Sequence, residues 1–314
     1  MQRTAPPAPA ALTGILLVVG GTVIFSINDM SIKFLSGDYA LHQVILIRAL
    51  VGMAFLMGLI AVTGTGFGQL RTRRWKAHLL RVSIILASNL TYFTGLASLP
   101  IADAAAVAYV SPLAITALSV VFLNEKVGPR RWAAVVVGLV GVVVMLRPGS
   151  GVIQPAALLV FVSALLYASG NLITRRVGGT ESAMALSFYT QLGFIIASAT
   201  MGLWFGDGHL AGEGTLWSFL FRPWIWPPAA DWPYFIATGL SVAIGGLMVT
   251  QAYRTSEVGL VAPFEYMGMP MAIFWGVVMF GTWPDATSWL GIALICGAGL
   301  YVMWRETARR QGAE

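Results

Sequence analysis

Charged side chains are scarce in this sequence. Asp, Glu, Lys and Arg make up 10% of its 314 residues, whereas hydrophobic residues make up 57% and the mean hydropathy is +0.78. A soluble domain carries about a quarter charged residues, so an ordinary soluble fold is excluded and an all-α polytopic membrane protein is predicted. Basic side chains that face the cytoplasm explain the net charge of +6, and we expect no nucleic-acid partner.

Cysteine, clustered histidine and nucleotide-binding motifs are also lacking. Cys296 is the only cysteine, which excludes an intrachain disulfide, and His42, His78 and His209 show no metal-ligand spacing. No Gly-x-x-x-x-Gly-Lys-Ser/Thr motif occurs, which argues against a pump with its own ATP-driven motor. Clustered nucleophiles, a ring of charges and a carbonyl-rich filter are missing too, so an enzyme and a channel are both disfavoured. We expect no metal and no cofactor.

Long apolar stretches are what the sequence does have. About 20 apolar residues at roughly 1.5 Å each cross the hydrocarbon core of a bilayer. The Pro- and Ala-rich residues 1–10 are expected to be a disordered tail before a retained first helix, and 306–314 a cytoplasmic tail. Between the tails, ten spans are predicted, at 12–34, 41–63, 78–99, 101–123, 131–148, 154–175, 183–204, 233–253, 259–281 and 286–304.

The positions of Lys and Arg predict the orientation of these spans. Of the 18 basic residues assigned to tails and connections, 15 lie on the side of the two tails and the even-numbered connections. Lys and Arg concentrate in cytoplasmic loops, so both termini are expected in the cytoplasm of a multi-pass plasma-membrane protein (inner membrane if bacterial). This count assigns Arg81 to a cytoplasmic connection and Lys33 to an external one. The external segment 205–231 either anchors its tryptophans at the headgroups or forms a lid.

An internal repeat divides the chain into two halves. A shift of 158 residues places Pro112 on Pro270 and Gly141 on Gly299, and ten positions match without gaps between 98 and 145. Residues 11–148 and 149–305 are therefore predicted to be two repeats of five spans each. Because five is odd, the second repeat enters the membrane from the opposite side, and inverted repeats around a central site are a recurrent build of secondary transporters.

The segment LPIADAAAVAYVSPLAITALSVVFLNEKVGPRRWAAVVVGLVGVVVM at 99–145 and its weaker echo at 257–303 carry a family resemblance. The chain resembles the drug/metabolite transporter superfamily with two EamA-type repeats. The resemblance implies ten helices around a central cavity that moves small metabolites without ATP hydrolysis. Asn124-Glu125 occupies the place of the Gly-Glu or similar pair that ends the fourth span in the family, whereas the second repeat has Thr282-Trp283.

Three charges lie well inside predicted spans, away from their ends, where each costs about 2.5–3.5 kcal/mol on insertion scales and needs a reason. Asp29 and Arg48 enter from the same side to a matched depth. Either the two pair, or Asp29 binds a cationic group of the cargo or a proton. Glu265 lies two turns before Pro270, and burial disfavours its charged form. Glu265 is therefore the main candidate for coupling or cargo recognition, against the alternative of a hydrogen bond to a neighbouring helix.

Polar and amphipathic groups in or near the spans complete the candidate site: Asn89, Tyr92, Tyr109 and Asn171. Each either contacts cargo or joins neighbouring helices. Pro112 and Pro270 each free the carbonyl four residues earlier, and the resulting kink serves as a hinge or shapes the bundle.

Small residues and the charge pattern suggest partners. Gly138 and Gly141 in the fifth span, and Gly297 and Gly299 in the tenth, permit close helix packing or a homodimer face. Amino acids and related zwitterionic or cationic solutes fit a cavity that offers both Asp29 and Arg48. The alternative cargo is a larger nucleoside- or flavin-like metabolite of the riboflavin or S-adenosylmethionine type, which fits the tyrosines.

Overall fold

The computed structural model describes residues 8–123, 128–146, 155–212, 216–256 and 261–311. Within these ranges every regular element is helical. Two short 3-10 segments, Phe67–Leu70 and Ala262–Met267, accompany the α-helices. The α-helices are α1 (Ala8–Leu35), α2 (Leu41–Thr63), α3 (Trp75–Ser98), α4 (Ile101–Ala108), α5 (Ser111–Leu123), α6 (Pro129–Leu146), α7 (Pro155–Val177), α8 (Ala183–Phe205), α9 (Ser218–Phe221), α10 (Trp232–Thr255), α11 (Gly268–Phe280) and α12 (Ala286–Gln311).

Among the residues that the structure describes, seven helical segments are long and apolar enough to cross a bilayer. Three shorter apolar segments, Trp132–Leu146, Phe264–Phe280 and Ala286–Tyr301, lie where further spans are predicted. Apolar side chains on the outside of the bundle remain exposed; on α6, Val136, Val140 and Val143 each expose half or more of their surface. An apolar exterior of this kind suits contact with lipid. The prediction of an all-helical, multi-pass membrane protein is confirmed for the described residues.

The helix ends differ from the predicted boundaries at both tails. α1 begins at Ala8, inside the expected disordered tail, and α12 continues to Gln311, inside the expected C-terminal tail. Residues 1–7 and the Asn124-Glu125 pair lie outside the described residues. Inside the chain, Gly64 and Gly281 terminate α2 and α11 with φ of 64° and 62°, a left-handed conformation that glycine adopts without a steric cost.

The continuous helices predicted for 101–123 and 259–281 are wrong. The first is two helices, α4 and α5, separated by a turn at Tyr109 and Val110; the second is a 3-10 segment followed by α11. Pro112 and Pro270 lie in the first turns of α5 and α11, where a missing N–H removes no helical hydrogen bond. Each break therefore occurs just before a proline rather than at a mid-helix kink.

Helices from the two halves of the chain pack against each other. α1 packs on α10, α3 on α7, α2 on α8 and α6 on α12. Small residues bring the backbones together: a Cβ added at Gly21 would lie 3.1 Å from the carbonyl oxygen of Gly245, and one at Gly141 would lie 3.2 Å from that of Gly291. Gly141 thus makes a close contact with another helix of the same chain. Gly299 also packs within the chain, against the ring of Tyr266.

Lys33 and Arg81 are not loop residues, which corrects their assignment in the charge count. Lys33 lies in the last turn of α1, and its ammonium donates to the carbonyls of Leu96, Ala97 and Leu99 at 2.7–2.9 Å. It thereby caps the C-terminal end of α3. Arg81 is buried in α3. Removing the two takes one basic residue from each side of the membrane, so the charge bias that predicts the orientation persists.

Candidate functional site

A central cavity of about 250 Å³ lies between the two halves. α1, α2, α3, α7, α8 and α10 contribute to its wall, together with the two broken spans. Pro112 and Pro270 are not lining residues; they lie in the helix turns beside it. All seven residues predicted for substrate binding or coupling line this one cavity: Asp29, Arg48, Asn89, Tyr92, Tyr109, Asn171 and Glu265.

Asp29 and Arg48 share the cavity without pairing. Asp29 accepts hydrogen bonds from the Tyr92 hydroxyl at 2.8 Å and from Nδ2 of Asn28 at 3.1 Å. Arg48 Nη2 instead donates to Oδ1 of Asn89 at 3.0 Å. Asn89 and Tyr92 are three residues apart on α3 and so share a face of that helix. Each provides a partner for one of the two charges, so the ion pair weighed from the sequence is absent between these two described side chains.

Arg48 is enclosed by aromatic rings. Its guanidinium carbon lies 5.4 Å from the ring centre of Phe93 and 5.3 Å from that of Phe194, distances at which a cation is attracted by the ring face. The side chain is fully buried. Its Nε and Nη1 have no hydrogen-bond partner among the described residues.

Glu265 lies on the 3-10 segment of the second broken span. Its Oε1 accepts hydrogen bonds from the hydroxyls of Tyr253 at 2.6 Å and Tyr167 at 3.1 Å. The hydrogen bonds between Glu265 and neighbouring helices, which were the alternative considered from the sequence, are thus present. The same carboxylate also lines the cavity. The two facts are compatible because both tyrosines bond to a single oxygen.

The two broken spans meet at the cavity. The rings of Tyr109 and Tyr266 have centroids 5.8 Å apart, so the turn after α4 touches the 3-10 segment before α11. A methyl group at Gly268 would collide with the Tyr109 hydroxyl. Irregular backbone is tolerated at membrane depth where it lines a cavity, and broken helices mark binding sites in many transporters.

Several lining residues were not predicted from the sequence. Arg81 was counted with the basic residues of the connection after the second span, but α3 begins at Trp75 and places it in the helix. Tyr167 lies one turn before Asn171 on α7, and Gln191 is an amide in the middle of the predicted span 183–204. A search for polar groups one turn from known candidates would have found Tyr167.

Hydrogen bonds join the segment between α8 and α10 to the connection between α1 and α2 and to the first turn of α2. Gln43 donates to the carbonyl of Ile225 at 2.5 Å and accepts from its amide at 3.3 Å, and Arg222 donates to the carbonyl of Ser36 at 3.0 Å. Tyr39 donates to the Asp231 carboxylate at 2.5 Å. Burial, with that neighbouring carboxylate, holds the pKa of Tyr39 above its usual range.

No group of three or more His, Cys, Asp or Glu side chains that would hold a metal ion occurs in the part of the chain that the structure describes. The site is instead made of hydrogen-bonding groups, two carboxylates, two arginines and aromatic rings. Such a wall suits recognition of an organic molecule that is partly apolar and carries several polar atoms.

Comparison with known proteins agrees with this architecture. A model of the EamA-like transporter family matches residues 12–147. The chain is 30% identical to a riboflavin transporter of Rhizobium johnstonii, over 96% of this chain and 94% of that protein. It is 24% identical to an S-adenosylmethionine uptake transporter of Rickettsia prowazekii, over 94% of each. A crystal structure with 21% sequence identity matches with a TM-score of 0.68, over 95% of this chain and 98% of that one, which shows a shared fold.

Proposed function

The chain belongs to the EamA-like transporter family of the drug/metabolite transporter superfamily, and from this premise we propose that it carries a flavin-like metabolite across the plasma membrane. Transport proceeds by alternating access, without ATP hydrolysis and without a cofactor. The protein acts as a carrier rather than an enzyme. Its partners are the small molecule and the surrounding bilayer.

The main support for this substrate class is that the chain is 30% identical to a riboflavin transporter over nearly its whole length. The cavity supports the same class, because Tyr92, Phe93, Tyr109, Tyr167 and Phe194 offer aromatic faces to a planar ring. We therefore favour a flavin-like cargo over the amino-acid-like cargo first expected.

A second candidate cargo is an S-adenosylmethionine-like cation. The observation that favours it is the pair of carboxylates in the cavity wall, Asp29 and Glu265, which would attract a sulfonium charge. The similarity to an S-adenosylmethionine uptake transporter points the same way, at lower identity.

The architecture we propose is ten membrane crossings in two inverted repeats, 11–148 and 149–305. An exchange of the repeats maps α1 onto α7 and α10 onto α3, so the α1–α10 contact corresponds to the α7–α3 contact, and both occur. The α2–α8 and α6–α12 contacts each map onto themselves. The two broken spans support the same relation, because Pro112 and Pro270, 158 residues apart, both lie in the first turn after the break.

Flux into proteoliposomes tests the proposed cargo. We expect saturable uptake of radiolabelled riboflavin that excess unlabelled riboflavin suppresses and excess leucine does not. Protein-free vesicles give the background. Saturable uptake of radiolabelled S-adenosylmethionine without uptake of riboflavin would favour the second candidate, and saturable uptake of radiolabelled leucine without uptake of riboflavin would restore the first expectation. Uptake no faster than in protein-free vesicles would contradict a flavin carrier.

A further inference from the structure

Lys33 and Arg175 hold equivalent positions in the two halves of the chain. α2 and α8 each have 23 residues and begin 142 residues apart, whereas α3 and α10 each have 24 residues and begin 157 residues apart. The first offset places Lys33, in the last turn of α1, on Arg175, in the last turn of α7. A basic side chain therefore lies at the same position near the end of both helices.

Each of these side chains binds the C-terminal end of another helix. Lys33 Nζ donates to the Ala97 carbonyl of α3 at 2.7 Å, and Arg175 Nη1 donates to the Arg254 carbonyl of α10 at 3.1 Å. The second offset places Ala97 on Arg254, so the proposed exchange of the repeats converts one hydrogen bond into the other. Carbonyls at the end of a helix lack partners within the helix and attract cations, and both contacts use this property.

Further hydrogen bonds reinforce each contact. Lys33 also donates to the carbonyls of Leu96 and Leu99, at 2.9 and 2.8 Å. At the equivalent place in the other half, Arg254 donates through its own Nη1 to the carbonyl of Gly178 at 3.1 Å, so α7 and α10 are joined in both directions. Main-chain carbonyls are thus the acceptors at both places.

The cavity lies between two closely packed helix pairs. α1 packs along α10, and α3 packs along α7. A Cβ added at Gly21 of α1 would lie 3.1 Å from the carbonyl oxygen of Gly245 on α10, and one added at Gly95 of α3 would lie 2.5 Å from that of Ala156 on α7. All four helices line the cavity. The hydrogen bonds of the two basic side chains run from one pair to the other.

Both contacts lie one turn beyond the cavity wall. The last lining residue of α1 is Asp29 and that of α7 is Asn171, each four residues before the basic side chain. On the partner helices the last lining residues are Phe93 of α3 and Thr250 of α10, each four residues before its accepting carbonyl. The contacts therefore close the space between the helix pairs just where the cavity ends.

The two contacts lie at opposite ends of the cavity. Arg81, in the second turn of α3, donates to Thr174 in the last turn of α7 at 2.6 Å. α7 therefore ends where α3 begins, whereas Lys33 binds where α3 ends. A helix with the 24 residues of α3 is about 36 Å long, which places the whole cavity between the two contacts.

We propose that Lys33 and Arg175 are the two gates of the carrier. Opening of one end of the cavity moves the α1–α10 pair away from the α3–α7 pair at that end and breaks the hydrogen bonds of one basic side chain, while those of the other remain. In the proposed orientation Lys33 closes the external end and Arg175 the cytoplasmic end. This inference rests on the proposed alternating access and not on the identity of the cargo.

The partial burial of the two side chains suits reversible opening. Lys33 and Arg175 are both half-buried, so a long basic side chain that leaves its carbonyls can turn its charge to water or to lipid headgroups. Arg81 provides the contrast. It is 4% exposed, and its hydrogen bond to Thr174 lies within the α3–α7 pair, which remains together as the cavity opens.

Labelling of the cavity from each side of the membrane tests the gates. In a Cys296→Ala background, Gly246→Cys places a single thiol in the cavity wall, where an added Cβ meets nothing within 4 Å. A membrane-impermeant maleimide is added to right-side-out and to inside-out vesicles that contain the full chain. The ratio of the two labelling rates reports which end of the cavity opens more.

Removal of one gate should favour opening at its own end. We expect Lys33→Met to raise the ratio of external to cytoplasmic labelling about threefold or more, and Arg175→Met to lower it by a similar factor. The double variant should return towards the wild-type ratio because both ends are weakened. Arg176→Met is the matched control, since Arg176 is exposed and donates to the Phe122 carbonyl of α5 rather than to α10, and it should keep the wild-type ratio.

Milder variants repeat the comparison where a methionine variant does not fold. Lys33→Gln and Arg175→Gln keep a polar side chain of shorter reach and should shift the ratio in the same two directions. A substitution that only loosens the fold increases labelling from both sides alike. That result, or a ratio equal to that of the wild type in the variants of both residues, would overturn the gates.

The labelling uses no riboflavin, so its outcome is separate from that of the flux experiment. Opposite shifts in a protein that takes up no riboflavin would support the gates and contradict the flavin carrier. Riboflavin uptake with unchanged ratios would contradict the gates and leave the flavin carrier in place. Shifts that are both opposite to those expected would support two gates and contradict the proposed orientation.

Discussion

Glu265 shares one carboxylate oxygen between two tyrosine hydroxyls at the wall of the cavity. Both bonds stabilise the charged form, whereas burial disfavours it, and these opposing effects are what a proton-carrying group needs. Tyr253 and Tyr167 come from α10 and α7, so the protonation state of Glu265 bears on how these helices meet the 3-10 segment. We propose that Glu265 couples proton binding to transport.

Replacing Glu265 with glutamine separates proton coupling from helix contact. The amide oxygen of Glu265→Gln still accepts from both tyrosines, so we expect near-normal thermal stability and loss of the pH dependence of uptake. Glu265→Asp should keep part of it. The measurement is the initial rate of uptake in proteoliposomes between about pH 5.5 and pH 8. A wild-type rate and pH profile in Glu265→Gln would leave Asp29 as the candidate for coupling.

At the scale of elements, the two broken spans contact each other where they line the cavity. The breaks occur at Tyr109–Val110 and just before Gly268, and the Tyr109 hydroxyl lies against Gly268. Only a residue without a side chain fits there. This contact between the Tyr109 side chain of one repeat and the Gly268 backbone of the other makes the position a candidate pivot for alternating access.

Gly268→Ala tests that contact. The added methyl group meets the Tyr109 hydroxyl and Thr22, and overpacking of this kind costs about 1–3 kcal/mol. We expect a lower Tm and a lower transport rate. Gly246→Ala is the matched control, because Gly246 also lines the cavity and an added Cβ would meet nothing within 4 Å. Equal effects of the two variants would count against a specific contact between the breaks.

The C-terminal end of α3 depends on a side chain from another helix. Lys33 of α1 donates to three carbonyls there, and unsatisfied carbonyls at a helix end destabilise the fold. We expect Lys33→Met to lower the Tm of the purified protein by several degrees, and Lys33→Arg to recover part of the loss. Lys76→Met, at an exposed position in the first turn of α3, should change the Tm little. A Tm for Lys33→Met equal to that of Lys76→Met would show that the cap contributes nothing.

On the scale of the whole molecule, polar groups converge on the centre and apolar groups cover the outside. Arg48, Asn28, Gln191 and Glu265 are all buried, whereas Leu203 and Trp204 are mostly exposed. This reverses the arrangement of a soluble protein and suits one that holds a polar cargo inside a lipid environment.

Labelling of single cysteines tests the proposed orientation in the membrane. In a Cys296→Ala background, Ala230→Cys should react with a membrane-impermeant maleimide added to intact cells, and Arg73→Cys should not. Both positions are exposed in the structure, so access from the two sides of the membrane decides the outcome. The charge bias is the reason for this expectation. The reverse pattern would place both termini outside.

Local properties of the chain were enough to predict the class of protein, the positions of most helices and the list of candidate residues. The length of an apolar run and the presence of a charge within it are local, and a bilayer imposes the same length on every span. The shift that aligns Pro112 with Pro270 similarly reports a duplication without any knowledge of packing. All seven candidates named in this way line one cavity.

Only the tertiary structure decided which groups meet. The sequence allowed Asp29 to pair with Arg48, but the rotation of α3 presents Tyr92 to one and Asn89 to the other. The same holds for Lys33, whose partners are 63 to 66 residues away. Hydrophobic length does not specify how a helix is rotated about its axis, and that rotation determines every hydrogen bond between spans. Such choices depend on the packing of the whole bundle and are settled only when all of its helices are in place.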